Sequence, residues 1–176
     1  MRIIGGKYRG RIFHPGKKFR SRPTTDLAKE GLFNILENRC LFEELRVLDL
    51  FSGTGSMGYE FASRGAREVI MVEKNYNHFK FIRETIKVLE MQNASVIKGD
   101  AFVFLKKNHA TFDIVFADPP FDLDRLKELP DALFDSQILH EKGMFILEHP
   151  KEYNFTNHPH FSELRNYGKV QFSIFE

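Results

Sequence analysis

The sequence predicts an α/β fold: a mostly parallel, seven-stranded sheet with helices on both faces and an antiparallel last strand. Three observations predict it. From residue 45 onward, short apolar runs alternate with amphipathic stretches. Most of these runs are apolar at consecutive positions, as in a strand covered on both sides. The chain then closes with two strand-like stretches, 161–166 and 169–175, joined by Tyr167-Gly168 as a hairpin. At 176 residues the chain is long enough for one domain with a real core.

The elements follow in order. Residues 1–22 form a first unit, a basic arm, and residues 23–176 a second. The arm holds Arg2, Lys7, Arg9, Arg11, Lys17, Lys18, Arg20 and Arg22 and no acidic residue, although the whole chain is only +2. All of the positive excess therefore sits in the arm, whose natural partner is an anionic polymer. Ile3, Ile4, Tyr8, Ile12 and Phe13 interleave with these charges, and Gly5-Gly6 and Gly10 supply turns. That pattern predicts a two-stranded ribbon with one apolar and one basic face. Pro23-Thr24-Thr25-Asp26 starts a helix, capped by Thr25 or Asp26 and running to about Asn38.

Strands are expected at 45–51, 68–73, 94–98, 112–117 and 144–147. Helices between them are expected from 55 to about 64, over 76–92 with Phe79, Ile82, Ile86 and Leu89 inward, over 101–107, and through Leu126, Leu129 and Leu133. Residues 151–159 read as loop. No apolar run approaches the roughly 20 residues of a membrane span. Basic residues interrupt every apolar stretch near the N-terminus, so no signal peptide is expected and the protein is placed in the cytoplasm. Cys40 is the single cysteine, which excludes an intrachain disulfide and a cysteine-based metal site. The seven histidines show no convincing ligand spacing, and no metal is expected. Without heptads or another dimer element, a monomer is expected.

Asp118-Pro119-Pro120-Phe121 directly follows the fourth strand. Two prolines cannot donate backbone hydrogen bonds, and Pro119 keeps Asp118 out of helical geometry, so the segment must leave the sheet as a stiff lip. The lip offers acceptors, the Asp118 carboxylate and the Pro119 carbonyl, beside the flat ring of Phe121. Such a surface suits an amino group on a planar ring and points to methyl transfer to nitrogen.

Gly53-x-Gly55-x-x-Gly58 with Glu73 matches the dinucleotide fingerprint by spacing. Electrostatics decides against a pyrophosphate. Asp49, Asp100 and Asp118 fall at or near the carboxyl ends of strands one, three and four, where ligands of such sheets bind. Like charges in a partly desolvated site cost several kcal/mol. S-adenosylmethionine instead brings a sulfonium and an ammonium, and a carboxylate that the Gly53–Gly55 amides could hold. Asp100 has an equally good structural reading, as the cap of the helix beginning at Ala101.

The chain resembles the bacterial 16S ribosomal RNA guanine-N2 methyltransferases (RsmD-like) over essentially its whole length. The likeness rests on residues 1–10 (Met-Arg-Ile-Ile-Gly-Gly-Lys-Tyr-Arg-Gly), Arg22-Pro23-Thr24-Thr25-Asp26, the stretch 48–55, Ser63-Arg64-Gly65-Ala66, and Asp118-Pro119-Pro120-Phe121. The resemblance implies a Rossmann-like class I methyltransferase that uses S-adenosylmethionine. It implies that Asp49, Gly53 and Gly55, with Phe51, Ser52 and Thr54, line the methionine end. Glu73, with Lys74 beside it, would bind the ribose, and Asp100, Ala101 and Phe102 the adenine. The basic arm would grip 16S rRNA, within or close to a small-subunit particle. Where the family often follows Asp26 with Arg-Val-Arg-Glu, this chain has Leu27-Ala28-Lys29-Glu30, so no contact of the first arginine is carried over to Leu27. Adenine-N6 methylation of nucleic acid, glutamine-amide methylation of protein, and a catalytically idle assembly factor remain alternatives.

Overall fold

The structure, a computed structural model, describes residues 1–16, 25–168 and 170–176. One seven-stranded sheet runs through it: β1 (Arg46–Leu50), β2 (Glu68–Glu73), β3 (Ala94–Lys98), β4 (Phe112–Ala117), β5 (Leu139–His149), β6 (Phe161–Tyr167) and β7 (Val170–Phe175). Their order is β3-β2-β1-β4-β5-β7-β6. The first five are parallel, and β7 is antiparallel to both β5 and β6. The helices are α1 (Asp26–Glu37), α2 (Ser56–Ser63), α3 (Tyr76–Val88), α4 (Ala101–Lys107) and α5 (Leu129–Asp135).

Apolar side chains on the two faces of β1, β2, β4, β5 and β7 feed two cores. On one face Val47, Met71, Phe116 and Phe172 meet Leu32 and Phe33 of α1, Phe61 of α2 and Ile82 of α3. On the other, Leu48, Val115, Phe145 and Phe175 meet Leu105 of α4 and Leu129 and Leu133 of α5. The doubly covered sheet expected from consecutive apolar positions is present. Thr25 caps α1, its Oγ1 accepting from the Ala28 amide at 3.2 Å.

Some boundaries differ from the sequence expectation. β5 begins at Leu139 rather than 144, since Glu141-Lys142-Gly143 interrupts the apolar run but still extends the strand. A register shift against β4 between Phe112 and Ile114 absorbs the irregularity. α3 stops at Val88, and Glu90 takes a left-handed φ of 52° that no helix continues through. β3 lies at the sheet edge, so it is partly exposed rather than buried on both faces. Cys40 is half-buried.

The expected N-terminal ribbon is shorter than a regular two-stranded one. A single bridge joins Arg2 to Ile12, flanked by backbone bonds between Ile3 and Arg11 and between Met1 and Phe13. Ile3 is buried in the first core, but Ile12 is 58% exposed and does not join the apolar face.

The arm is tied to α2. The Ile4 and Gly5 amides donate to the Glu60 carboxylate at 2.9 and 2.7 Å. The Tyr8 amide donates to Ser63 Oγ at 2.9 Å, and that hydroxyl donates to Gly5 O at 2.6 Å.

Candidate active site

β1 and β4 pair at the middle of the sheet and run out into loops at the same end. The loop after β1 is tight. Phe51 sits at φ 58°, a left-handed conformation that costs a non-glycine residue about 1–3 kcal/mol. Gly58 marks the place where α2 touches β2: a Cβ there would stand 2.4 Å from Met71 Sδ. Helix–sheet contact thus explains the third glycine of the fingerprint.

Hydrogen bonds lace the loop to the strand ends. The Gly58 amide donates to Asp49 Oδ2 at 3.0 Å, and Ser52 Oγ donates to Asp49 O at 2.6 Å. The Gly53 amide donates to Glu73 Oε2 at 2.7 Å, the Asn75 amide to Glu73 Oε1 at 2.6 Å, and the Gly55 amide to Ser52 O at 2.7 Å. The two amides that sequence reasoning offers to a ligand carboxylate therefore already have partners inside the protein. Buried Thr54 donates from Oγ1 to Met1 Sδ at 3.3 Å, joining loop and arm.

Asp100 is the cap of α4, accepting from the Phe102 and Val103 amides at 3.0 and 3.2 Å, with Lys74 Nζ 3.1 Å from its other oxygen. Burial acts to raise its carboxyl, but the Lys74 bond and the two amides outweigh it and hold the group below its usual range. A carboxylate has about four acceptor sites, so Glu73 and Asp100 can each take a ligand hydroxyl or amine besides these bonds. Ala101 and Phe102 are buried. Phe51 meets the Phe102 ring edge-on at 6.4 Å, and the Arg125 guanidinium lies 4.1 Å over Phe102.

At the end of β4 the lip has the expected form. Asp118 is half-buried and Pro119 buried, while Pro120 and Phe121 are exposed, Phe121 by 47%. The Leu123 amide donates to Pro120 O at 2.9 Å, turning the chain back after the lip. Burial pushes the Asp118 carboxyl well above its usual range, and the charges of Glu148 and Asp49 push it further. Burial also lifts Asp49 to about 7, against the lowering bonds from Gly58 and Ser52 and with a small upward push from Glu73. Asp49, Asp118 and Glu148 thus form a row of carboxyls across β1, β4 and β5. Among the described residues no group of three or more His, Cys, Asp and Glu side chains could hold a metal ion.

Arg2, Lys7, Arg9 and Arg11 of the arm are exposed. Arg2 pairs with Asp26 at 3.1 Å, and Lys7 Nζ lies 5.2 Å over the Tyr8 ring. A groove of about 430 Å³ separates arm from α1, with Arg2, Arg9, Glu30 and Asn34 among its walls. It lies apart from the row of carboxyls. Lys17, Lys18, Arg20 and Arg22 lie outside the described residues. Leu27 is 71% exposed on the first turn of α1.

Sequence reasoning missed Glu148, Arg125 and the Lys29–Glu60 pair. Glu148 and Glu60 carried a readable signal: each is an acid inside an otherwise apolar segment, Met144–Leu147 before one and Met57 to Ala62 around the other. A charge enclosed that way is paired or functional. Arg125 had none, because only the turn after the lip brings it over Phe102.

A family model, conserved hypothetical protein 95, matches residues 1–176. The chain belongs to this family. Ribosomal RNA small subunit methyltransferase D of Escherichia coli (strain K12) is 33% identical over 148 residues, covering 84% of this chain and 74% of that one. A hypothetical protein of Thermus thermophilus superposes with a TM-score of 0.88 at 30% identity, covering 100% and 99% of the two chains. At the level of fold alone, a precorrin-6y C5,15-methyltransferase of Geobacter metallireducens superposes with a TM-score of 0.69 at 18% identity, over 93% of each chain. This member of the conserved hypothetical protein 95 family therefore has the class I methyltransferase fold expected from its sequence. No described helix is long and apolar enough to cross a membrane.

Proposed function

We propose that this chain, a methyltransferase by family and fold, transfers a methyl group from S-adenosylmethionine to the exocyclic N2 amino group of a guanine in 16S rRNA. The observation that carries the reading is the lip: half-buried Asp118, buried Pro119 and exposed Phe121 at the end of β4, one strand from Asp49. The donor set fits the cofactor. Acids at successive strand ends suit a cation, Glu73 has acceptor sites for ribose hydroxyls, and Phe51 and Phe102 offer an apolar wall for adenine. When bound, the cofactor supplies an electrophilic methyl group on a sulfonium.

The protein's own groups then do the following. The Asp118 carboxylate and the Pro119 carbonyl accept the two amino N–H bonds and favour a pyramidal nitrogen, whose lone pair is otherwise delocalised into the ring. Phe121 stacks on the base and fixes its plane. Asp118 takes the proton that the methylated nitrogen sheds. Positioning of this kind is worth up to ~7–11 kcal/mol in ideal cases. The base must be unstacked to reach the lip, so the target is a loop nucleotide. The likeness to ribosomal RNA small subunit methyltransferase D and the basic arm support a small-subunit RNA substrate, met in the cytoplasm.

The test is nucleoside analysis of undermethylated 30S particles, and of naked 16S rRNA, after incubation with the protein and labelled cofactor. Label in N2-methylguanosine is expected. Label in N6-methyladenosine, or none in either RNA, would overturn the reading.

A further inference from the structure

The arm that would grip RNA and the loop after β1 that would hold the cofactor's methionine end are joined through three separate contacts. Buried Thr54, inside the loop, donates from Oγ1 to Met1 Sδ of the arm at 3.3 Å. Phe13, whose amide donates to Met1 O at 3.0 Å, packs on Tyr59 of α2 with ring centroids 5.9 Å apart. The same Tyr59 ring lies against Gly55: a Cβ there would stand 2.6 Å from Tyr59 Cζ and 2.8 Å from its hydroxyl oxygen. Lys29 makes the third contact. Its Nζ donates to Arg2 O at 2.5 Å and to the Oγ of Ser56, the first residue of α2, at 3.4 Å.

These contacts are enclosed. Tyr59 is fully buried, Lys29 is 1% exposed, and Phe13 packs partly buried against the core of that face. Gly55 takes φ 83°, a conformation that glycine adopts freely. Its shape is therefore set by what packs behind it. Tyr59 touches both Gly55 and Phe13, so a shift of the arm at Phe13 reaches the loop through one close-packed ring. Lys7, Arg9 and Arg11 of the same arm are exposed and open to an anionic polymer.

We propose that the arm is the rear support of the cofactor loop, so that RNA on the arm and S-adenosylmethionine on the loop strengthen each other's binding, with Phe13 as the positioning residue. The proposal rests on the function given above and adds how its two substrates are coupled. An RNA strand on Lys7, Arg9 and Arg11 holds the ribbon against α2, which fixes Tyr59 and hence Gly55 in the shape the cofactor meets. A cofactor that orders the loop holds Thr54 and Tyr59, and through them Met1 and Phe13. Each ligand then meets a protein that the other has already ordered, which lowers the entropic cost of its own binding. Linkage makes the two effects equal in size. The free protein releases its methyl donor more readily than the RNA-bound one, where the methyl group is used.

Equilibrium dialysis of labelled S-adenosylhomocysteine against the full chain, alone and with a saturating excess of undermethylated 30S particles, reads the coupling. The particles should tighten binding by at least about fivefold, and saturating S-adenosylhomocysteine should tighten particle binding by the same factor. Phe13→Ala should abolish most of that factor. Phe13→Leu, which keeps apolar bulk against Tyr59, should restore much of it and guards against a folding defect in the first variant. In the wild type without RNA, S-adenosylhomocysteine should slow amide exchange at Ile3 and Phe13, whose amides donate to Arg11 O and Met1 O within the arm. A wild-type factor of one, or arm exchange that the ligand leaves unmoved, would overturn the coupling while leaving the methyltransferase reading intact. A factor that survives Phe13→Ala while both affinities fall would reduce Phe13 to a packing element and overturn the route through the arm. If the wild type binds no S-adenosylhomocysteine, both readings fall together.

Discussion

Asp49 is 2% exposed, and burial lifts its carboxyl from 3.8 to about 7. A raised folded value means that the native state binds the proton more tightly than the unfolded chain. Its stabilising contribution is complete below about pH 4 and is lost as pH rises through about 7. The cost at alkaline pH is on the order of 4 kcal/mol. Asp49→Asn keeps an oxygen for the Gly58 amide and removes the charge, so it should be more stable than wild type at pH 8 by up to that amount and about equal at pH 4. Denaturant titrations at the two pH values check this. Comparison between the two proteins cancels His149, whose burial lowers its value and whose contribution runs the opposite way with pH. Asp118→Ala should lower single-turnover methyl transfer by at least about a hundredfold while leaving cofactor affinity within about threefold. Radiolabel transfer and equilibrium binding read the two effects separately. At this scale the lip was legible because prolines constrain the backbone wherever they occur. The commitment of the Gly53 amide was not, since it depends on Glu73 arriving from another strand.

Among elements, α2 does two tasks. Its N-terminus receives the glycine loop, and its middle holds the arm through Glu60. That carboxylate is fully buried and accepts from Ile4, Gly5 and Arg64 Nε at 2.9, 2.7 and 2.9 Å, with Lys29 Nζ at 3.5 Å. Lys29 Nζ in turn donates to Arg2 O at 2.5 Å and to Ser56 Oγ, at the start of α2, at 3.4 Å. Removing one partner of a buried pair leaves the other uncompensated, so Glu60→Ala should cost about 3–5 kcal/mol, measured by chemical denaturation. It should also loosen the arm, visible as faster amide exchange at Ile4 and Gly5. Strands β1, β2 and β4 and the hairpin β6–β7 were legible as apolar runs with turn residues between them. The start of β5 and the end of α3 were not. The exposed start of a strand tolerates charge, and a left-handed residue such as Glu90 ends a helix without a glycine to announce it.

On the scale of the molecule, charge is divided between an acidic crevice and a basic arm. Because the arm is bonded into α2, removing its charges tests RNA binding more cleanly than deleting it. Each of Arg9→Ala and Arg11→Ala should lessen the slope of log affinity against log salt by about 0.7 on single-stranded RNA, if its side chain meets a phosphate. Binding isotherms at several salt concentrations measure that slope. The mostly parallel sheet and the acids at its strand ends were readable in outline, since parallel strands bring their carboxyl ends to one edge. The row formed with Glu148 was not, because it requires the register of β5 against β4. The most direct test of the whole account is a crystal structure with S-adenosylhomocysteine bound. The sulfur should lie at the ends of β1 and β4, within reach of Asp49 and facing the Asp118–Phe121 lip, with Phe121 open to solvent. A ligand seated elsewhere, or a lip closed off from any base, would contradict it.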